Sequence, residues 1–203
     1  MKTTILTLIA AVILTVTATT TKATAATTTE AVTLTGIKNI SKIEAHGNVE
    51  VFITNGTKDA VKVYDTAYYA SSALVQEQNG TLRITNYDKT KKLLVEVTVT
   101  DLRNVVAYDN AVIKSDKLAL VDLTVDLYNN AYAGLQLSNY AASINVNDQA
   151  KADLSGDVTE YSLTYSYSAT VNRAALTAAN VTESRVAPVR HAYRNSVRVL
   201  ASI

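Results

Sequence analysis

Residues 105–113 read Val-Val-Ala-Tyr-Asp-Asn-Ala-Val-Ile, and residues 125–133 read Val-Asp-Leu-Tyr-Asn-Asn-Ala-Tyr-Ala. The same frame returns in weaker form at 144–152, 163–171 and 186–194. It is anchored by Ala111, Ala131, Ala150, Ala169 and Ala192, at intervals of 20, 19, 19 and 23 residues. Six positions before each alanine stands Val105, Val125, Ile144, Leu163 or Val186; four before it stands Ala107, Leu127, Val146, Tyr165 or Pro188. Two positions after come Ile113, Ala133, Ala152 and Val171, and then Arg194, which breaks the column. Asp109, Asn129, Asp148, Tyr167 and Arg190 lie two before the alanine, and Asn110, Asn130, Gln149, Ser168 and His191 directly before it.

Apolar residues at every second position describe a strand with one buried face. A strand, a polar corner, a small alanine and a second strand, returning every 19–20 residues, describe one coil of a β-solenoid. Equivalent residues of successive coils then lie about 4.8 Å apart, the spacing of hydrogen-bonded strands. The fold expected is all-β, a parallel β-helix with Tyr165 inward and a degenerate fifth copy. Asn110, Asn130 and Gln149 are expected to stack as a structural corner ladder, each amide bonding the next. A β-sandwich is the alternative, since its strands also recur at short spacing, but it gives no reason for fixed corner residues.

Outward from the repeat the pattern stays β. Val49, Val51 and Ile53 alternate with Glu50, Phe52 and Thr54, and Leu93, Val95, Val97 and Val99 with Leu94, Glu96, Thr98 and Thr100. Asn55-Gly56 and Asn79-Gly80 are turn signals. The Ala-rich residues 174–179 are the single helical suspect. Residues 5–16 are mostly apolar and Ala23-Thr24-Ala25 fits a small-x-small cleavage site, so 1–25 reads as a secretory signal. That apolar run is short of the roughly 20 residues that span a bilayer. Residues 26–33 read as a flexible leader. Residues 34–203 read as one β-helix domain, with irregular coils over 34–100 and regular repeats over 101–203. The expected address is exported: periplasmic, outer-membrane-associated or extracellular, with no transmembrane segment after signal removal.

Lys+Arg is 19 against Asp+Glu 18 among 203 residues. Loss of Lys2 and Lys22 with the signal leaves 17 basic residues and a mature charge of −1. No basic bias favours nucleic acid. The absence of Cys excludes disulfides, a Cys nucleophile and a lipid-anchored lipoprotein. The two histidines, His46 and His191, are far apart in sequence. Without a phosphate loop, a nucleophile elbow or a metal-binding helix motif, no metal, no cofactor and no catalytic residue is expected.

His46-Gly47-Asn48-Val49-Glu50-Val51-Phe52-Ile53-Thr54-Asn55-Gly56 resembles the hallmark segment of the head GIN domain family of adhesin-like proteins. Asn79-Gly80-Thr81-Leu82-Arg83-Ile84 resembles its next strand, and Val97-Thr98-Val99-Thr100-Asp101-Leu102-Arg103-Asn104-Val105 its entry into the repeats. The resemblance covers roughly 34–203. It implies a right-handed parallel β-helix exported in Bacteroidetes-type bacteria and supplies no catalytic residues. Family members typically carry Gly-Ala-Ser at the corner, where this chain has Asn-Ala-Val, Asn-Ala-Tyr and Gln-Ala-Lys.

The tyrosines are the surplus. Tyr108 and Tyr128 share an outward column, and Tyr132 follows the next corner alanine. A tyrosine offers a flat apolar face and a hydroxyl, which suits sugar rings and protein interfaces. The reading adopted is an exported, non-catalytic, adhesin-like module that binds glycan or a cell-surface protein through Tyr/Thr-rich faces, with Tyr108, Tyr128 and Tyr132 as ligand-binding residues. One alternative is a polysaccharide-degrading enzyme using Asp109 and Asp148, which two strand spacings would hold about 9.6 Å apart. The other is a structural envelope protein that self-associates as a homo-oligomer. Arg185, Arg190, Arg194 and Arg198 read as a charged end cap.

Overall fold

The computed structural model describes residues 31–64 and 73–187. Every regular element among them is a strand: β1 (Val32–Leu34), β2 (Lys42–Gly47), β3 (Val49–Asn55), β4 (Ala60–Val63), β5 (Ala73–Gln78), β6 (Thr81–Asn86), β7 (Leu93–Val99), β8 (Asn104–Tyr108), β9 (Val112–Leu118), β10 (Asp122–Leu127), β11 (Tyr132–Val146), β12 (Lys151–Ser166) and β13 (Thr170–Val186). The fold is all-β, and among the described residues no helix is long and apolar enough to cross a membrane. The strands join into one 13-stranded sheet. Most pairings are parallel; the antiparallel ones, β1–β4, β4–β7 and β5–β6, lie in the N-terminal half.

The register sets the aligned residues side by side. Val105 pairs with Val125, Val125 with Ile144 and Ile144 with Leu163. Past the corner, Ile113 pairs with Ala133, Ala133 with Ala152 and Ala152 with Val171. The corner alanines are joined through the following residue: Tyr132 N donates to Ala111 O, Lys151 N to Ala131 O and Thr170 N to Ala150 O, at 2.9, 2.9 and 3.1 Å. A small side chain is needed here because it points inward where the chain turns sharply, and Ala111, Ala131 and Ala150 are wholly buried. Between the strands the Val, Ile and Leu columns form the core, each fully buried side chain contributing about 1.5–3 kcal/mol.

The corners close by a hydrogen bond from the alanine N–H to the carbonyl three residues back, as from Ala111 to Tyr108 and from Ala131 to Tyr128, both 3.1 Å. Asp109, Asn129 and Asp148 take φ values of 61, 60 and 54°. Asn and Asp tolerate this left-handed region better than other side-chain-bearing residues. Tyr167 is absent from that group, so the fourth corner keeps the turn bond without the left-handed residue.

In the N-terminal half two buried polar groups tie the irregular strands. The Asp59 carboxylate accepts from Ile40 N, Thr100 N and Thr100 Oγ1 at 2.8–2.9 Å. The Asn86 amide donates to Asn48 O and Lys91 O. Gly47 has φ +79°, and a Cβ there would sit 2.1 Å from Asn86 O, so the strand-to-strand step after β2 requires glycine.

Three expectations need correction. Residues 174–179 lie inside β13, because pairing with β12 overrides their helical propensity. Val32 and Thr33, placed in the leader, belong to β1 and pair with β4. Tyr165 packs against the core but is half-buried, since its neighbour across β13 is Arg185 rather than an apolar residue. The signal at 1–25, Tyr68 and Tyr69, and the fifth copy with Arg190, His191, Tyr193, Arg194 and Arg198 lie outside the described residues.

Candidate binding face

The outward side chains of β2, β8, β10 and the second halves of β11 and β12 line one face. Along its edge His46 pairs in register with Tyr108, and the Tyr128 N–H bonds Ala107 O in the next strand at 2.9 Å. The three rings form a pile. His46 and Tyr108 have centroids 4.5 Å apart with planes 8° from parallel, and Tyr108 and Tyr128 are 5.0 Å and 10°. Tyr108 is therefore covered on both flat faces. What the pile offers outward is ring edges and hydroxyls. Burial, and then the charges of Tyr128, Glu44 and Asp126, push the Tyr108 phenol above its ordinary range. Burial, Asp126 and Asp148 do the same for Tyr128. Both hydroxyls remain protonated donors at neutral pH.

Beside the rings the side chains become small and hydrogen-bonding. Thr124 pairs with Ser143 and Ser143 with Ser162, while Asp126 pairs with Asn145 and Asn145 with Thr164. Ser162 and Thr164 continue onto Thr182 and Ser184. Asn145 Nδ2 donates to Asp126 at 2.8 Å, and Asn180 Nδ2 to Glu160 at 2.7 Å. A shallow hollow lies over this grid, lined by Asp122, Thr124, Ala141, Ser143, Glu160, Ser162 and Thr182 among others. Neither β10 nor the second halves of β11 and β12 carry a Lys or Arg, so Asp122, Asp126 and Glu160 give this part of the face its charge, whereas on β2 Glu44 is paired with Lys42 and Arg83.

At the corner bounding the face, Asn129 spans the two carboxylates of the hydrolytic alternative. Its Nδ2 donates to Asp109 Oδ1 at 3.0 Å, and its backbone N–H to Asp148 Oδ2 at 2.9 Å. These bonds give Asp109 and Asp148 a corner role. The corner hydrogen bonds thus run through the column two before the alanine, and Asn110, Asn130 and Gln149, expected as the ladder, stand exposed beside it. The left-handed backbone turns the earlier side chain along the stacking direction, which sequence spacing alone does not reveal.

Tyr132 stands on the next face, past the corner. Its hydroxyl donates to Asp153 Oδ2 at 2.7 Å, and that bond leads the causes that raise its phenol pKa. A Cβ on Gly134 would lie 2.9 Å from the Tyr132 hydroxyl, so the ring leans over the glycine to reach Asp153. On this second face carboxylates are neutralised: Glu50 by Lys114 and Lys92 at 2.7 and 3.3 Å, and Glu96 by Lys62 at 3.2 Å. The structure thus brings Tyr108 and Tyr128 together and sets Tyr132 apart. It adds His46, whose Nε2 is 3.4 Å from Glu44 Oε1 and whose place beside the tyrosines depends on a pairing distant in sequence.

A model of the family described as "Putative auto-transporter adhesin, head GIN domain" matches residues 39–190. Among solved structures, a putative adhesin from Parabacteroides distasonis is similar with a TM-score of 0.55, at 11% identity over 78% of each chain. A putative adhesin from Bacteroides fragilis gives 0.43 at 12% identity, over 78% of this chain and 97% of that one. No curated protein matched the chain. The first of these shares the fold, and the family match covers the greater part of the sequence, from just before β2 to just past the end of β13. The chain belongs to the head GIN domain family of putative auto-transporter adhesins.

Proposed function

We propose that the protein is an exported, non-catalytic, adhesin-like module, a right-handed β-helix whose face beside the His46–Tyr108–Tyr128 pile binds neutral or amino-sugar glycans. The in-register pairing of residues 19–20 apart supports the coil reading. The observation that carries the ligand class is the grid of Thr124, Ser143, Ser162, Thr164, Asp126 and Asn145, edged by tyrosine hydroxyls and without a cation. Sugar hydroxyls donate to carboxylates and exchange hydrogen bonds with hydroxyls and amides. The carboxylates on the same face repel uronate and sulfate groups. Tyr108 and Tyr128 act here through their edges and hydroxyls, and Tyr132 lies outside the surface.

A glycan array containing neutral, amino and acidic sugars tests the reading. Retention of neutral or amino glycans is expected, with a loss of at least about tenfold, or 1.4 kcal/mol, on Ser143→Lys. Preference for acidic glycans, or no glycan retained, rejects it.

A further inference from the structure

One row of outward side chains crosses the whole face that carries the His46–Tyr108–Tyr128 pile. In register, Thr81 stands beside Lys42, Lys42 beside Asn104, Asn104 beside Thr124, Thr124 beside Ser143 and Ser143 beside Ser162. Gln78 of β5 extends the row at one end and Thr182 of β13 at the other. The residue that follows along the strand, as Leu82, Val105 or Ile144, is buried, so the row itself faces out. Each position carries a hydroxyl, an amide or an ammonium, and the one ammonium, on Lys42, is paired with Glu44. Seven strand spacings of about 4.8 Å make the row roughly 34 Å long.

Two features set this row apart from an ordinary outward row of a sheet. The side chains of Thr81, Asn104, Thr124, Ser143 and Ser162 hydrogen-bond to no other described residue, whereas nearby Asn145 and Asn180 are engaged with Asp126 and Glu160. The second face shows what an unselected row looks like: Leu94, Glu50, Val112, Tyr132 and Lys151 stand side by side there, apolar and charged by turns. Strand propensity alone favours Val, Ile or Tyr at such places over Asn and Ser. Hollows lie over both ends of the polar row, one lined by Gln78, Asn79, Thr81 and Arg83 and the other by Thr124, Ser143, Ser162 and Thr182.

We propose that this row seats an extended, unbranched glycan chain running across the strands from the β5–β6 hairpin to β13, rather than a single terminal sugar. The inference rests on the glycan reading above and adds the polymer and its direction. A chain of pyranose rings advances by about one strand spacing per ring, so the row meets about seven rings with one hydrogen-bonding side chain each. Exposed hydrogen bonds each contribute little net affinity, so recognition accumulates with the number of rings seated.

Calorimetric titration of the full chain with oligomers of glucose, mannose, galactose and N-acetylglucosamine, one to eight rings long, tests this. In a series that binds, affinity is expected to climb at least about tenfold from two rings to six and to level off near seven. Asn104→Tyr, in mid-row, should bring the plateau down to about four rings, the span from Thr124 to Thr182, with melts to check that the variant is folded. Equal affinity for two rings and six overturns the extended site and leaves the glycan reading standing. No binding in any series overturns both. A plateau unmoved in folded Asn104→Tyr puts the chain elsewhere on the molecule and overturns the row.

Discussion

The Tyr108 and Tyr128 rings lie 5.0 Å apart and within 10° of parallel, each covering a face of the other. A ligand on the proposed binding face would therefore meet ring edges and hydroxyls rather than flat ring faces. Tyr108→Ala removes the middle ring and separates His46 from Tyr128, at an expected cost of about 1–3 kcal/mol for lost packing and stacking. Tyr108→Phe retains the pile. The check is near-ultraviolet circular dichroism with thermal melts: the tyrosine signal should collapse in the alanine variant and persist in the phenylalanine one.

Tyr161 is buried, and its hydroxyl finds no hydrogen-bonding partner among the described residues. Burial pushes its phenol up from 10 to about 12. Because the folded value is the higher one, the stability linked to the neutral phenol is complete below pH 10 and lost as pH rises toward 12. Tyr161→Phe should be neutral or stabilising by about 1 kcal/mol at pH 7. It should also flatten the alkaline fall in stability, measured by urea unfolding at pH 7 and pH 10.5.

Gly47→Ala should be strongly destabilising, by about 3 kcal/mol or more, because the new Cβ meets a backbone carbonyl at a positive φ. Gly36→Ala is the contrast. Its φ is +86°, but a Cβ there has nothing within 4 Å, so strain alone should cost about 1–2 kcal/mol. Paired melts that rank the two the other way would contradict the close contact at Asn86.

Asn129→Asp replaces the side-chain donor between Asp109 and Asp148 by a third carboxylate. A loss of about 1–2 kcal/mol is expected at pH 7. Thermal melts of the two proteins at pH 7 decide, and an unchanged Tm would overturn the role of the Asn129 amide in tying the corners.

The Lys114 hydrogen bond, opposed by burial and aided by Lys92, holds the Glu50 carboxyl below its ordinary value of 4.5. The folded value is the lower one, so this contribution is complete above pH 4.5 and disappears as pH falls through the folded value. Partial exposure keeps it small. Glu50→Gln should lower Tm modestly at pH 7 and have a shrinking effect below pH 4.5.

Much of this was legible in the sequence because inward and outward residues alternate strictly. Val105, Val125, Ile144 and Leu163 could be aligned without knowing the pairing, and the register sets them side by side. The ring pile was half legible. Tyr108 and Tyr128 share a frame, but His46 enters through β2, in the half that lacks the repeat. The antiparallel strands β4 and β5 and the Asp59 and Asn86 clamps depend on contacts around 40 residues apart, as from Asp59 to Thr100 and from Asn86 to Asn48. The corner bonds were misassigned by one position, because which residue takes the left-handed conformation decides whose side chain points at the next strand. Tyr165 fell short of full burial because its column ends at Arg185.

The long parallel pairings of β11, β12 and β13 join segments that lie 19–20 positions apart in the chain. Tension applied beyond β13 is therefore resisted by one such segment at a time. β13 peels from β12, then β12 from β11, and each release pays out roughly 65 Å of slack at about 3.3–3.6 Å per residue. Under load the molecule lengthens in steps while its remaining layers stay intact, as a shock absorber does.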